Sequence, residues 1–547
     1  MRGGRVVAVS AVSALLLCVL YLTLPATGSD LSAQVARAGF FAEHGAALVD
    51  LRWYGGVHPW GYSLVSPPLM ALLGVRVTGA LALLASATAF AALLVRTRVP
   101  RPLLGSLVGV VTIAGNLVSG RVTYALGVAF GLAALLALTA PARRTRLAAG
   151  AGAGAAAERA GPCGGRSVWA AVAAGAAALL ASAASPVAGL FVGLAGAALL
   201  LTRRYADGLL LAVPAAAPLA VTGLLFGEGG WMNISTADTV HAVVTSLVVA
   251  ALVAYRPVRV GALLSAAGVL ASALLHTPVG LNATRLVVMF ALPVLAATAT
   301  LPAPVSDRLR AAGRRSRVAG VVGLAALLAV VCWWQPPVVT ADLRSADDPT
   351  ADPAYFAPLR AELARRGLTG RVEVPPSRNY WEAAHMGDVP LARGWLRQAD
   401  IDRNALFFTT VPGADGTGVP LTPITYRDWL ADNAVQYVAV PDADFSWVGA
   451  SEAKLVETGQ PYLTEVWSDR HWKLYAVAEP TPLVGAPGEL IRQDGASITF
   501  RAPAAGKIPI RVRHDRWLTA NGGAEVTRDG TWTTVTVPRE GTYTLTS

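Results

Sequence analysis

Apolar positions are unevenly spread along the chain. Runs long enough to cross a bilayer, about 20 residues each, fall near 5–24, 68–95, 103–119, 122–140, 168–184, 186–202, 209–226, 240–255, 260–276, 284–302 and 318–334. Beyond residue 334 the runs stop. There "YRDWLADN" (426–433) reads as a helix and "VQYVAVP" (435–441) as a buried strand. After the Pro/Gly-rich "EPTPLVGAPG" (479–488) the pattern turns to strict alternation in "SITFRA", "IPIRVR", "TWTTVTV" and "TYTLT", with "DG" and "GG" turns between them. The expectation is a polytopic α-helical membrane protein of about eleven transmembrane helices (1–334), followed by an extracytoplasmic α/β domain (335–480) and a small β-sandwich (481–547). The first run, preceded by Arg2 and Arg5, reads as a retained helix rather than a cleaved signal peptide.

Charge sharpens this picture. The chain is only 14% charged, against about 25% for a soluble domain. Its net charge of +11 is divided: residues 1–334 hold 24 Arg, no Lys and eight acidic residues, a net +16, and residues 335–547 hold −5. That division argues against a nucleic-acid partner, which calls for a basic face on a folded domain. With a cytoplasmic N-terminus, the expected inner loops and N-terminus hold 19 Arg. The outer loops hold five: Arg37, Arg52, Arg76, Arg121 and Arg285. Such an alternation records membrane orientation and puts the C-terminal region outside the cell membrane. The Ala/Gly-rich segment 147–165 reads as a flexible cytoplasmic linker. The three cysteines, Cys18, Cys163 and Cys332, show no metal or redox spacing. No Walker loop is present to couple nucleotide energy.

The segment between the first two runs carries the most chemistry. "LPATGSDLSAQ" (24–34) leaves the first helix through a Pro/Gly turn and places Asp30 about one helical turn beyond it. An amphipathic helix from Leu31 to His44 follows, with Leu31, Val35, Ala38 and Phe41 on one face, a pattern suited to lying along a membrane surface. Asp30 suits two roles at once: N-cap of that helix and partly desolvated general base. Trp53, Tyr54, His58, Trp60 and Tyr62 form an aromatic, glycine-rich cluster before the second run. Tyr54 and Trp60 suit either an interfacial belt or stacking on a sugar or lipid chain. His58 suits either a structural place or contact with a phosphate or acceptor. Arg121 in "SGR" and Arg285 in "GLNATRL" sit at the mouths of apolar runs, where a guanidinium either snorkels or faces a polar cavity. His276 and Asn282 lie near Arg285 in the sequence. In the C-terminal region, "PPSRNYWEAAHMGDVPLARGW" (375–395) gathers Arg378, Tyr380, Trp381, Glu382, His385 and Arg393, suited to glycan contact or to plain domain packing.

A cytoplasmic N-terminus, an acidic residue after the first span, a long first outer loop, many further spans and an outer C-terminal domain together resemble the GT-C class of membrane glycosyltransferases. Stretches such as "HPWGYS", "SGRVTYALG" and "YWEAAHMGDVPLARGWLRQAD" also resemble uncharacterised actinobacterial multispan membrane proteins. The GT-C resemblance implies an inverting transfer of a hexosyl or pentosyl group. The donor would be a polyprenyl-phosphate sugar and the acceptor an envelope glycan, lipid or protein on the outer face. It implies Asp30 as the catalytic base. Arg121 and Arg285 would lie near the donor phosphate, with His58, Tyr54, Trp60, Asn282 and His276 as further substrate contacts. The acidic pair common in the class is absent, since Leu31 follows Asp30, so the use of a divalent metal stays open. Two other readings stand beside this one: a multispan transporter, and a non-catalytic scaffold whose outer domain binds glycan.

Overall fold

The computed structural model describes residues 3–140, 167–227, 229–300, 314–411 and 413–547. The linker expected at 147–165, with Cys163, and most of the basic loop 308–317 lie outside the described residues.

The apolar runs form helices α1 (Gly3–Thr23), α2 (Leu31–His44), α3 (Ser66–Leu73), α4 (Val75–Arg96), α5 (Pro102–Val118), α6 (Val122–Leu138), α7 (Val168–Ala184), α8 (Pro186–Leu201), α9 (Tyr205–Phe226), α10 (Thr236–Leu252), α11 (Arg256–Leu274), α12 (Arg285–Thr298) and α13 (Arg314–Trp334). Among the described residues, five segments are long and apolar enough to cross a membrane: Gly3–Thr23, Val75–Arg96, Tyr205–Phe226, Arg256–Leu274 and Gly280–Thr298. Five of the remaining six expected spans, α5, α6, α7, α8 and α10, are apolar helices of 16–17 residues, and the sixth is the apolar segment Val318–Trp334 of α13. The run expected at 68–95 is two helices, because Gly74 (φ 85°) ends α3 and starts α4. Small residues let helices approach closely: α7 presents Ala174, Ala178 and Ala181, one turn apart and fully buried, to its neighbours. Leu72, Leu274 and Trp169 stay about 80% exposed, as a surface facing lipid requires.

In the C-terminal region, strands β1 (Arg371–Glu373), β2 (Val435–Pro441), β3 (Leu463–Ser468) and β4 (Trp472–Val477) form one sheet in the order β1-β2-β4-β3. β1 and β2 are parallel and the other pairs antiparallel. The helix expected at 426–433 is Pro423–Asp432, and the strand expected at 435–441 is β2 itself. The alternating segments become β5 (Glu489–Gln493), β6 (Ser497–Ala502), β7 (Gly506–Arg513), β8 (Thr519–Ala520), β9 (Glu525–Asp529), β10 (Trp532–Val537) and β11 (Gly541–Thr546). They build two antiparallel sheets, β7-β10-β9 and β5-β6-β11-β8. Ile508, Ile510 and Val535 from one sheet and Phe500, Tyr543 and Leu545 from the other share one core.

The C-terminal region packs directly on the helices, through the segment that follows α1. Ser32 donates to the Asn379 carbonyl at 2.6 Å, and the Trp395 indole N–H donates to the Ser29 carbonyl at 2.7 Å. Arg516 reaches the carbonyls of Leu224 and Leu225 at the end of α9. This contact changes the picture of α2. Its bounds match the sequence reading, but Leu31, Ser32, Ala33, Gln34, Ala36, Arg37, Ala38 and Phe40 are all buried. The helix is enclosed by protein rather than laid along an exposed membrane surface. Buried polar side chains of this helix find partners: Thr123 of α6 donates to Gln34 at 2.5 Å, and the Arg37 guanidinium lies over the Tyr62 ring, 3.7 Å from its centre.

Candidate active site

Asp30 stands at the N-cap position of α2, yet its side chain makes no capping bond. The carboxylate is turned the other way. Its Oδ2 accepts from Arg121 Nε at 3.2 Å and from Arg285 Nη2 at 3.2 Å. Between base and cap, the geometry leaves the carboxylate to the arginines.

Two glycines make this meeting possible. Gly28 (φ 103°) lies so close to the end of α5 that a Cβ would sit 2.3 Å from the Ser119 carbonyl carbon. Gly120 (φ 74°) lies so close to α2 that a Cβ would sit 2.4 Å from the Leu31 nitrogen. Positive φ and backbone contact both call for glycine at these two points. The resulting seam is stitched: the Asp30 N–H donates to the Ser119 carbonyl at 3.2 Å, and Asp342 accepts from Ser119 Oγ at 2.6 Å and from the Ser29 N–H at 3.2 Å. The turn before α2 and the turn before α6 are thereby locked side by side, which puts Asp30 next to Arg121. Arg285 arrives from the start of α12, its guanidinium carbon 5.5 Å from the Tyr124 ring centre.

The three charges line a cavity of about 600 Å³, within the range of about 300–1,000 Å³ usual for small-molecule sites. The helices contribute Asn116, Tyr124, Asp238 and His241 to its wall, and the segments before α3 and α12 contribute Tyr62 and Asn282. The C-terminal region contributes Tyr380, Trp395, Arg397, Asp400 and Trp447. Tyr124 also lines a second, almost wholly apolar cavity of about 360 Å³ between the helices. Phe90, Leu132, Phe191 and Phe290 are among its walls. A chamber that carries charged groups and an apolar groove thus share one side chain.

Of the residues singled out in the sequence, Asp30, Tyr54, Tyr62, Arg121, Asn282, Arg285 and Tyr380 line the chamber. Tyr54 is fully buried, which pushes its phenol well above the ordinary value. Its hydroxyl donates to the Gly394 carbonyl at 2.6 Å and accepts from the Leu396 N–H at 3.2 Å, so it holds the loop that carries Trp395. Asn282 donates to the Met232 sulfur at 3.1 Å. His58, Trp60 and His276 lie outside the chamber wall. His58 pairs with Asp515 at 2.7 Å, which ties the first loop to the β-rich segment. Trp60 donates to the Ala47 carbonyl at 3.0 Å and meets Phe41 edge-on. His276 stacks on Trp231, ring centres 4.2 Å apart. No signal in the sequence separated these three from the chamber residues: His58 is drawn off by Asp515, 457 positions onward, and Trp60 and His276 turn to the nearer Ala47 and Trp231.

The chain is similar to solved structures of the arabinofuranosyltransferase AftD from Mycobacteria. One superposes with a TM-score of 0.44 at 17% identity, over 92% of this chain and 41% of AftD. A mutant of AftD superposes with a TM-score of 0.47 at 18% identity, over 92% of this chain and 43% of that one. The present chain therefore spans less than half the length of these proteins. No protein-family model and no curated protein matches it.

The cluster expected from "PPSRNYWEAAHMGDVPLARGW" divides. Tyr380 reaches the chamber, whereas Arg393 is buried behind it. Arg393 grips Asp400 with two bonds of 3.0 Å and Glu452 with one of 2.9 Å, and lies 3.7 Å from Glu373. Three carboxyl groups face one guanidinium there. Burial, with Glu452 next to it, holds Glu373 well above the usual carboxylate range, and burial pushes Glu452 up to about 7. This network anchors helix Arg397–Arg403, whose Asp400 and Arg397 face the chamber. Trp381 stacks on His385 (5.0 Å) in the packing beneath.

A divalent ion does not fit at Asp30. Its carboxylate partners are two guanidinium groups, which repel a cation and do not ligate one. Among the described residues, Glu43, His44 and Asp388 bring ligand atoms within 4.8 Å of one another, but none of the three lines the chamber.

Proposed function

We propose that the chain is a membrane glycosyltransferase that moves a sugar from a polyprenyl-phosphate carrier to an acceptor on the outer face of the cell membrane. The observation that carries this reading is the Asp30–Arg121–Arg285 cluster in a chamber that shares Tyr124 with an apolar groove. A lipid-linked sugar has this division: an apolar chain, an anionic phosphate and a polar head. The groove suits the chain, the two guanidinium groups suit the phosphate, and the chamber has room for the sugar. A transporter would place ionisable groups in mid-membrane, whereas Asp30 and Arg121 lie in the turns before α2 and α6 and Arg285 at the first residue of α12.

The chemistry follows from the placement. In the free protein the arginines are paired with Asp30. An arriving phosphate competes for both guanidinium groups and releases the carboxylate. Asp30 then takes the proton of the acceptor hydroxyl, and the acceptor oxygen attacks the anomeric carbon with inversion. The bond from that carbon to the phosphate oxygen breaks, and polyprenyl phosphate leaves with the electron pair, its charge held by Arg121 and Arg285. The reading includes a cytoplasmic N-terminus, about eleven crossings and a C-terminal region on the outer side, as the Arg distribution supports.

The test is a deletion strain complemented with wild type or with Asp30→Asn at matched protein levels, with envelope glycans and lipid-linked sugars compared. Wild type is expected to restore a missing glycan. The variant should fold and insert yet transfer at least about a hundredfold more slowly. Full restoration by Asp30→Asn would remove the base from the mechanism, and an unchanged glycan profile on deletion would remove the transferase reading.

A further inference from the structure

The C-terminal region lends the chamber a shelf that the proposed donor chemistry leaves unused. Trp447 is 44% exposed although it lines the cavity. The Arg397 guanidinium lies 5.1 Å from its ring centre and donates to the Tyr380 hydroxyl at 3.2 Å. Tyr380 has φ 58°, a left-handed backbone that a bulky residue seldom adopts, and its ring meets Trp395 edge-on at 6.4 Å. The strain is held by surrounding packing, and such strain gathers at ligand sites. Trp395 in turn bonds the carbonyl of Ser29, the residue before Asp30. A chain of contacts thus runs from a half-exposed indole, packed on Phe408, to the candidate base.

We propose that Trp447, Arg397 and Tyr380 form the acceptor subsite and that the acceptor is a neutral glycan chain. The inference rests on the transferase reading above. A sugar ring has one face of C–H groups and an edge of hydroxyls. The half-exposed indole suits the first, and the Arg397 guanidinium with the Tyr380 hydroxyl suits the second. A lipid acceptor would call for an apolar wall on this side, and the residues here are polar or amphipathic. The apolar groove lies instead among the helices and meets the chamber wall at Tyr124. The donor would occupy the helix side of the chamber, and the acceptor would reach Asp30 from the C-terminal region.

Binding separates this inference from the transferase reading. The full chain in nanodiscs, carrying Asp30→Asn so that no turnover occurs, is titrated with short neutral oligosaccharides, one set of hexopyranoses and one of pentofuranoses. The expected result is saturable binding of one set, weakened about tenfold or more by Trp447→Ala and by Arg397→Gln, each with an unchanged melting temperature. In the active protein the same two changes should raise the acceptor KM by a similar factor while the donor KM keeps its wild-type value. Wild-type affinity in both variants, or no binding of either oligosaccharide set, overturns the subsite. If binding behaves as expected but no sugar is ever transferred, the shelf stands as a glycan site and the transferase reading falls.

Discussion

Asp30 shows how far a residue's neighbours in sequence are from its neighbours in space. Its local setting, Ser-Asp before an amphipathic helix, is that of a cap, and its carboxylate caps nothing. A second carboxyl shows what burial does. Glu382 accepts from Ser377 Oγ at 2.5 Å in a fully buried place, and burial pushes it from 4.5 up to about 8. The native form is therefore the neutral acid. The folded chain keeps a proton that the unfolded chain loses above about pH 4.5, so stability is greatest at the acidic end. It falls as pH rises toward about 8, by up to about 1.4 kcal/mol per pH unit from this group alone. Hydrogen exchange of residues 380–386, corrected for intrinsic rates, should show weaker protection at pH 8 than at pH 5.5, and Glu382→Gln should flatten the slope. An equal slope in the variant would assign it to Glu373 and Glu452 instead.

At the scale of elements, the turns before α2 and α6 form the unit that places the charges. Gly120→Ala puts a Cβ against the Leu31 backbone, so one of the two turns must move. The expected cost is about 1–3 kcal/mol, with transfer reduced as strongly as by Asp30→Asn because Arg121 no longer meets the carboxylate. Gly39→Ala is the control. It lies inside α2 with nothing within 4 Å of its Cβ, and alanine should stabilise the helix by about 1 kcal/mol. Thermal melts and a transfer assay on both variants check the pair, and wild-type melting and transfer in Gly120→Ala would show that the seam tolerates separation. The bounds of α2 were legible because a helix period is a local property. Its burial was not, because the residues that cover it, such as Asn379 and Trp395, are hundreds of positions away.

At the scale of the whole molecule, the arginine distribution and the chamber make one claim about topology. A membrane-impermeant maleimide applied to intact cells should label a cysteine placed at Thr531, an exposed turn beside β10, and should leave Cys163 unlabelled until the membrane is opened. Labelling of both from the outside would break the proposed orientation. By itself the sequence determined which segments are apolar helices, where the alternating strands lie and which acidic and basic residues stand near helix ends, because length, period and charge are read within one stretch of chain. The tertiary structure alone decided that the Asp30 carboxylate meets Arg121 and Arg285, 91 and 255 positions onward. It also decided that His58 serves Asp515 and lies outside the chamber wall, and that the C-terminal region completes the chamber with Tyr380, Arg397 and Trp447. The physical reason is common to all three. Each contact depends on how closely two backbones can approach and on which buried charge needs a partner. Both are settled only when distant segments pack together.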